Sequence, residues 1–209
     1  MKAIICDDYG SLENLTYKES EPPKINDPDD VIIKVESCGV NFPDGLLVQG
    51  KYQHKPETPF IPGMEVSGKI CSIGLNVKEF DVGDRVAGLT QLGGYAEITK
   101  VNKQSIYKMP NSMSYDEACA MLCAYGTSHY ALKQRAKIKN GETLVVLGAS
   151  GSTGIAAIQI GKIYGAKVIA ASSSKEKQDF TKKLGADISI GYENLKDDLK
   201  RITNGNGVD

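Results

Sequence analysis

An excess of either charge is missing from this sequence: its 209 residues carry 25 Lys and Arg against 26 Asp and Glu, a formal net charge of -1. Without a cationic field the chain is a poor binder of nucleic acid or of an anionic membrane surface. Long apolar runs are missing too. None approaches the ~20 residues of a membrane span, and the short apolar stretch 1–6 gives way to Asp7 and Asp8, too early for a secretory signal. A cytoplasmic protein is expected. The 5 cysteines (Cys6, Cys38, Cys71, Cys119, Cys123) are odd in number and irregularly spaced, which excludes a disulfide-stapled secreted framework and fits a reducing compartment. The 2 histidines, His54 and His129, have no metal-ligand spacing with a cysteine. Internal repeats and low-complexity segments are absent, and Ser172-Ser173-Ser174 is too short to be a linker. What is there is ordinary: 41% hydrophobic and 24% charged residues describe a globular protein, and the length allows one large domain or two small ones.

The character of the chain changes near residue 125, which divides it into expected domains 1–125 and 126–209. Residues 1–108 hold short strand-like runs at 3–6, 31–35, 65–73, 85–89 and 95–99, separated by turn clusters such as Asp81-Val82-Gly83-Asp84. Short strands with regular turn signals predict an all-β barrel or sandwich-like unit. Ser114-Tyr115-Asp116-Glu117 has capping-box spacing and opens a helix. Gly126 reads as a break, with a second helix over 127–136. From Thr143 the pattern becomes strand and helix in alternation: strands at 143–147, 167–171 and 188–190, helices at 155–164, 175–184 and 193–203. That alternation predicts βαβ units on a parallel sheet, so the whole chain is α/β.

The turn Gly148-Ala149-Ser150-Gly151-Ser152-Thr153-Gly154 lies between the first of these strands and its helix. Ala149, Gly151 and Gly154 fit a G-x-G-x-x-G pattern with Ala in the first place, and the strand–turn–helix context makes the match informative. Gly151 lets the backbone approach a pyrophosphate and Gly154 lets helix and strand pack closely. The free N–H groups around Ser152 and Thr153 hold the anion. A turn that exists only for packing is the alternative. A P-loop is excluded, because no Lys-Ser/Thr pair follows Gly154. NAD sites place an acid at the end of the second strand for the ribose hydroxyls, yet residues 155–175 contain no Asp or Glu. Ser172, Ser173 and Lys177 offer hydroxyls and an ammonium group, which suit a 2′-phosphate. The expected cofactor is NADPH, although at least one of the serines should cap the next helix instead.

Several longer motifs resemble one family. They are Cys38-Gly39-Val40-Asn41-Phe42-Pro43-Asp44, Pro62-Gly63-Met64-Glu65-Val66-Ser67-Gly68, Gly83-Asp84-Arg85-Val86, Gly93-Gly94-Tyr95-Ala96-Glu97, the glycine loop, and Lys183-Leu184-Gly185-Ala186-Asp187. In this order they resemble the zinc-independent quinone oxidoreductase branch of the medium-chain dehydrogenase/reductase superfamily. The resemblance implies an N-terminal GroES-like β-barrel domain, then a doubly wound Rossmann domain, with the active site in the cleft between them. It implies NADPH-dependent hydride transfer to a small electrophile, a quinone or an α,β-unsaturated carbonyl, and commonly a homodimer. It points to Asn41, Asp44 and Tyr52 around nicotinamide and substrate, to Thr127 near the nicotinamide, and to Lys177 and Tyr192 near the 2′-phosphate. Each has a plainer reading: Asn41 and Asp44 flank Pro43 and suit a helix start, Tyr52 suits a loop, and Tyr192 suits packing at a strand end.

The zinc branch of the superfamily needs Cys, His and a further Cys or Glu. Here Asn41 stands where that branch has its Cys, and Gly63-Met64-Glu65 where it has Gly-His-Glu. The cysteine-rich lobe is missing, since Leu89-Thr90-Gln91-Leu92 runs straight into Gly93-Gly94. Without a Lewis acid a simple alcohol is a poor substrate, whereas a conjugated carbonyl spreads the incoming charge and needs only a hydrogen-bond donor. Met64 departs from the small residue usual in the zinc-free branch and is expected to narrow the cleft. The family continues past Asp209 with another strand, so only the first half of the Rossmann domain is expected here, as a fragment or as a chain that needs a partner. Two other readings stand beside the reductase of quinones and enones: an enoyl-thioester reductase of the same superfamily, and a non-catalytic NADPH-binding protein.

Overall fold

In Asp30–Cys38 a run of β-branched residues is too short of helix formers to coil, and its residues Val31 and Ile33 are wholly buried. This strand, β3, is the spine of the first unit. The computed structural model describes residues 1–209 and divides into two compact units, Met1–Cys123 and Ala124–Asp209. In the first, β1 (Lys2–Ile5) and β2 (Thr16–Glu19) form an antiparallel hairpin. A five-stranded antiparallel sheet of β3, β4 (Glu65–Ile73), β5 (Arg85–Leu89), β6 (Ile98–Asn102) and β7 (Ile106–Lys108) follows, in the order β6-β3-β4-β5-β7. Val31, Ile33, Ile70, Val86, Val101 and Ile106 meet in its core.

The sheet is rolled but open. A flat five-stranded sheet would hold its edges about 19 Å apart, whereas the four steps from Asn102 to Ile106 reach about 14 Å at most. The edges β6 and β7 are joined by that short turn and so must curl toward one another, yet they do not pair. The expected barrel is therefore an unclosed one. Its short last strands, five and three residues, leave too little main chain for a closing ladder.

Two local expectations shift. The run predicted at 95–99 enters the β6 ladder only from Ile98, because its first residues bond to β1 instead: Ile4 N–H donates to Tyr95 O at 2.8 Å, Glu97 N–H donates to Lys2 O at 3.1 Å, and Ala96 bridges Ala3. Gly126 does not break its helix: α2 runs unbroken over Tyr115–His129 and continues into a π-helical turn, Tyr130–Arg135. One glycine costs a helix only ~1 kcal/mol. The capping box at its start is present, with Ser114 N–H on Glu117 Oε2 at 2.9 Å and Glu117 N–H on Ser114 Oγ at 3.2 Å. A further helix, α1 (Phe42–Val48), follows β3.

The second unit alternates as its pattern demands: β8 (Thr143–Leu147), α3 (Ser152–Ile163), β9 (Lys167–Ala171), α4 (Lys175–Lys183), β10 (Ile188–Ile190) and α5 (Leu195–Ile202). The strands are parallel, in the order β10-β9-β8. Central β9 is apolar on both faces, as a strand covered on both sides must be. Val168 and Ala170 face Ile158 and Ile160 of α3, and Ile169 and Ala171 face Leu195, Leu199 and Ile202 of α5. This is the first half of a doubly wound sheet. No helix in either unit is long and apolar enough to cross a membrane.

Candidate functional site

In the second unit, the chain leaves β8 into the glycine loop with Gly148 at φ 61, and α3 starts with Gly151 as its N-cap. The two glycines of the motif do different work. A Cβ on Gly154 would lie 2.6 Å from Gly148 O and 2.7 Å from Ala149 Cα, so only hydrogen lets α3 pack so close to the loop. A Cβ on Gly151 would meet Gly148 O at 3.4 Å, an ordinary contact; this glycine leaves open the space in front of the helix start. Ser152 and Thr153 fill the first turn of α3, where main-chain N–H groups lack intrahelical partners.

The strand ends are tied together around that loop. Ala149 N–H bonds Ala171 O at 3.1 Å, and Ser172 N–H bonds Ile190 O at 3.0 Å. The Tyr192 hydroxyl accepts from Gly148 N–H at 2.7 Å and donates to Ala171 O at 3.0 Å. Tyr192 thus braces the loop from the end of the third strand while part of its ring stays exposed. Ser172 is 1% exposed and its Oγ has no partner, an unusual state for a buried hydroxyl. Ser174 caps α4, accepting from Lys177 N–H at 3.3 Å, while Ser173 and the Lys177 ammonium are exposed. Thr127 is exposed on α2, and its neighbour Ser128 donates to Thr153 O at 2.8 Å. All of the expected cofactor residues in this unit therefore gather around the loop and the carboxyl ends of the strands.

The first unit holds a second cluster. Asn41 is the N-cap of α1, and its N–H donates to Asp44 Oδ2 at 2.8 Å. The Tyr95 hydroxyl donates to the same oxygen at 3.0 Å. Gly63 makes room for Tyr95: a Cβ on Gly63, at φ +101, would lie 2.6 Å from the Tyr95 ring. Asp44 is 3% exposed, and burial pushes its carboxyl above the usual carboxylate range despite those two donors. Burial and the neighbouring Asp44 charge push the Tyr95 phenol up as well. The Asn41 Nδ2 donates to Glu65 Oε1 at 2.7 Å, and Cys123 N–H donates to Glu65 Oε2 at 2.7 Å. Cys38, Cys119 and Cys123 surround this carboxylate. Burial, helped by nearby acidic groups, pushes each thiol up to about 12, so they stay protonated and are poor nucleophiles.

Asn41, Asp44 and Tyr95 line a pocket of about 420 Å³ whose remaining walls include Leu12, Leu15, Val40 and Phe42. Phe42 and Val40 are more than three-quarters exposed at its rim. No Lys or Arg lines it. Tyr52 is not part of this wall; it packs on the cluster of Cys6, Leu47, Val48 and Phe60, as does Met64. The motifs alone assign no role to Glu65, Tyr95 or Ser128. An acid heading the Glu65–Ile73 strand, and a tyrosine behind two glycines, are the available signals for the first two.

Comparison with known proteins agrees with this geometry. Residues 27–111 match the model of the alcohol dehydrogenase GroES-like domain, and residues 152–209 match that of the zinc-binding dehydrogenases. Over 211 aligned residues the chain is 39% identical to the quinone oxidoreductase-like protein 2 homolog of Nematostella vectensis, covering 99% of this chain and 54% of that protein. It superposes on the quinone oxidoreductase of Escherichia coli, solved in complex with NADPH, with a TM-score of 0.94 at 29% identity, covering 100% of this chain and 64% of that one. The chain belongs to the medium-chain dehydrogenase/reductase superfamily, in its quinone oxidoreductase branch. A probable oxidoreductase from Mycobacterium abscessus superposes with a TM-score of 0.93 at 39% identity, again covering 100% of this chain and 66% of that one. The chain thus spans between half and two-thirds of the length of these relatives.

The zinc implied by the second family description does not fit the residues of this member. Asn41 turns an N–H donor toward Glu65, and both Glu65 oxygens are taken by N–H groups. Met64 packs into the core. No group of three or more His, Cys, Asp or Glu side chains is arranged to hold a metal ion.

Proposed function

We propose that this chain carries the NADPH site and the acceptor pocket of an oxidoreductase that passes hydride to a quinone or α,β-unsaturated carbonyl without a metal ion. The pocket of the first unit carries the reading. Its walls are mostly apolar, no Lys or Arg lines it, and its polar groups are the Asn41 and Gln49 amides and the Asp44–Tyr95 pair. Such a pocket takes an uncharged conjugated carbonyl. A coenzyme A thioester would ask for basic residues to meet its phosphates, and none line this wall, which puts the enoyl-thioester reading second.

The second unit fits the cofactor. The glycine cradle and the N-terminus of α3 suit a pyrophosphate. The unpartnered Ser172 Oγ, with Ser173 and Lys177, suits the 2′-phosphate end, since β9 ends without the acid that would claim the ribose hydroxyls. Thr127 is assigned to the nicotinamide side and Tyr192 to the adenosine side. Bound there, the dihydronicotinamide supplies the hydride. The protein's part is to hold the acceptor in the pocket and to keep there the Tyr95 hydroxyl, which donates to Asp44 Oδ2. Asp44 and Asn41 serve both as helix start and as pocket polar groups. A homodimer in the cytoplasm belongs to this reading, and light scattering tests the dimer.

Oxidation of NADPH followed at 340 nm with a naphthoquinone and with an enone tests the proposal. Steady turnover that is faster than with NADH supports it. NADPH binding without oxidation would make the chain a binder rather than an enzyme. Equal binding of NADH would remove the argument from Ser172, Ser173 and Lys177.

A further inference from the structure

Glu65 belongs to no expected contact set, yet it is as deeply buried as Asp44. It is 3% exposed. Its Oε1 accepts from Asn41 Nδ2 and its Oε2 from Cys123 N–H, both at 2.7 Å. Its main-chain oxygen accepts from Gly39 N–H at 3.1 Å. A Cβ on Gly39 would lie 2.1 Å from Glu65 Oε1, so the backbone presses against the carboxylate and blocks its rotation. An ionised carboxylate is acceptor-only, and an amide has two unlike ends. Held here, Glu65 dictates which end of Asn41 faces it: the amino group turns in and the carbonyl Oδ1 turns away.

We propose that Glu65 is a positioning residue that makes Asn41 a hydrogen-bond acceptor toward the molecule bound in the pocket. The inference rests on the reductase reading for its functional side and goes beyond it in two respects. It assigns a role to a residue that touches neither substrate nor cofactor. It also decides between two uses of Asn41. With a carboxylate 2.7 Å behind the amino group, a developing oxyanion placed there would be repelled. A neutral N–H or O–H donor is welcome at Oδ1, whose basicity the charge-assisted bond raises. The partner of Asn41 is therefore a donor, either a carboxamide N–H or the hydroxyl of a reduced product. The substrate's oxyanion has to be met by another group; the Tyr95 hydroxyl lines the same pocket and would meet it by turning its one proton away from Asp44 Oδ2.

The Glu65→Gln variant of the whole chain tests this. The introduced glutamine has one acceptor oxygen for Cys123 N–H and then offers its amino group to Asn41, which must invert. A fall of about tenfold in kcat/KM for NADPH is expected, the equivalent of one misdirected hydrogen bond. The double variant Glu65→Gln/Asn41→Asp reverses donor and acceptor and again leaves an acceptor facing outward. It should recover most of the loss, which a purely structural role for Glu65 would not allow. Unchanged kinetics in the single variant, or a double variant no better than the single, would overturn the proposal.

Side-chain amide NMR of the wild-type chain is independent of turnover and of whether the variants fold. One Asn41 Nδ2 proton should exchange slowly, because Glu65 Oε1 holds it at 2.7 Å. Two equally fast protons would overturn the proposal outright. A slow proton in a chain that shows no turnover would instead leave the positioning intact and remove the reductase reading.

Discussion

Replacing Gly154 by alanine should cost stability before it costs affinity, and Gly151 should behave the other way round. A Cβ at 154 meets three backbone atoms at 2.6, 2.7 and 2.8 Å, none of which can swing aside, so α3 has to back away from the loop. Overpacking of this kind costs ~1–3 kcal/mol, while the better helix propensity of alanine returns up to ~1 kcal/mol. Three backbone contacts below 3.0 Å put the cost in the upper part of that range, ~2–3 kcal/mol, so the net loss is about 1–2 kcal/mol, and at ~2–4 °C per kcal/mol for a chain of this size the melt should drop by about 2–8 °C. At 151 the added Cβ meets Gly148 O at 3.4 Å with φ at -81. That variant should melt within about 3 °C of wild type. Its NADPH affinity should still fall by about tenfold or more, because the methyl group stands where the pyrophosphate approaches. Circular dichroism melting and titration of NADPH fluorescence read the two quantities separately. An unchanged melt for Gly154→Ala would refute the close-packing argument. Wild-type affinity for Gly151→Ala would refute the place given to the pyrophosphate.

The same geometry sets three further outcomes. Tyr192→Phe removes the hydroxyl that bridges Gly148 N–H and Ala171 O, so NADPH Kd should rise about three- to tenfold with little change in melting. Burial raises the Asp44 carboxyl, so the native state binds a proton more readily there than the unfolded chain does. Wild-type stability measured relative to Asp44→Asn should therefore be highest at low pH and decline as pH rises through the elevated pKa; urea melts from pH 4 to 8 check the sign. Cys71 is exposed while Cys38, Cys119 and Cys123 are held near 12. Iodoacetamide at pH 8 should accordingly modify Cys71 first in the native chain.

The second unit is nearly transparent in sequence, for a physical reason. Parallel strands buried on both faces read as unbroken apolar runs, and residues 143–147, 167–171 and 188–190 emerge as strands at those positions. Exposed or very short strands carry no such signal: β2 has all four residues exposed and β7 has three residues in all, and neither stands out in the pattern. The glycine loop is legible because sterics fix its residue types. The pocket of the first unit is not, because it depends on which side chains converge from distant positions. Asn41 meets Glu65, and Asp44 meets Tyr95, 51 residues away. For Tyr52, motif position points to the site, and its half-buried ring packs against the Cys6 and Phe60 cluster.

Hydride transfer from NADPH is the central claim. NADPH carrying deuterium at the transferable C4 position, mixed with the chain and an enone in the presence of a metal chelator, tests it most directly. Mass spectrometry of the product should find one deuterium on the carbon β to the carbonyl, undiminished by the chelator. A product without deuterium, or none once metal is removed, would contradict the account.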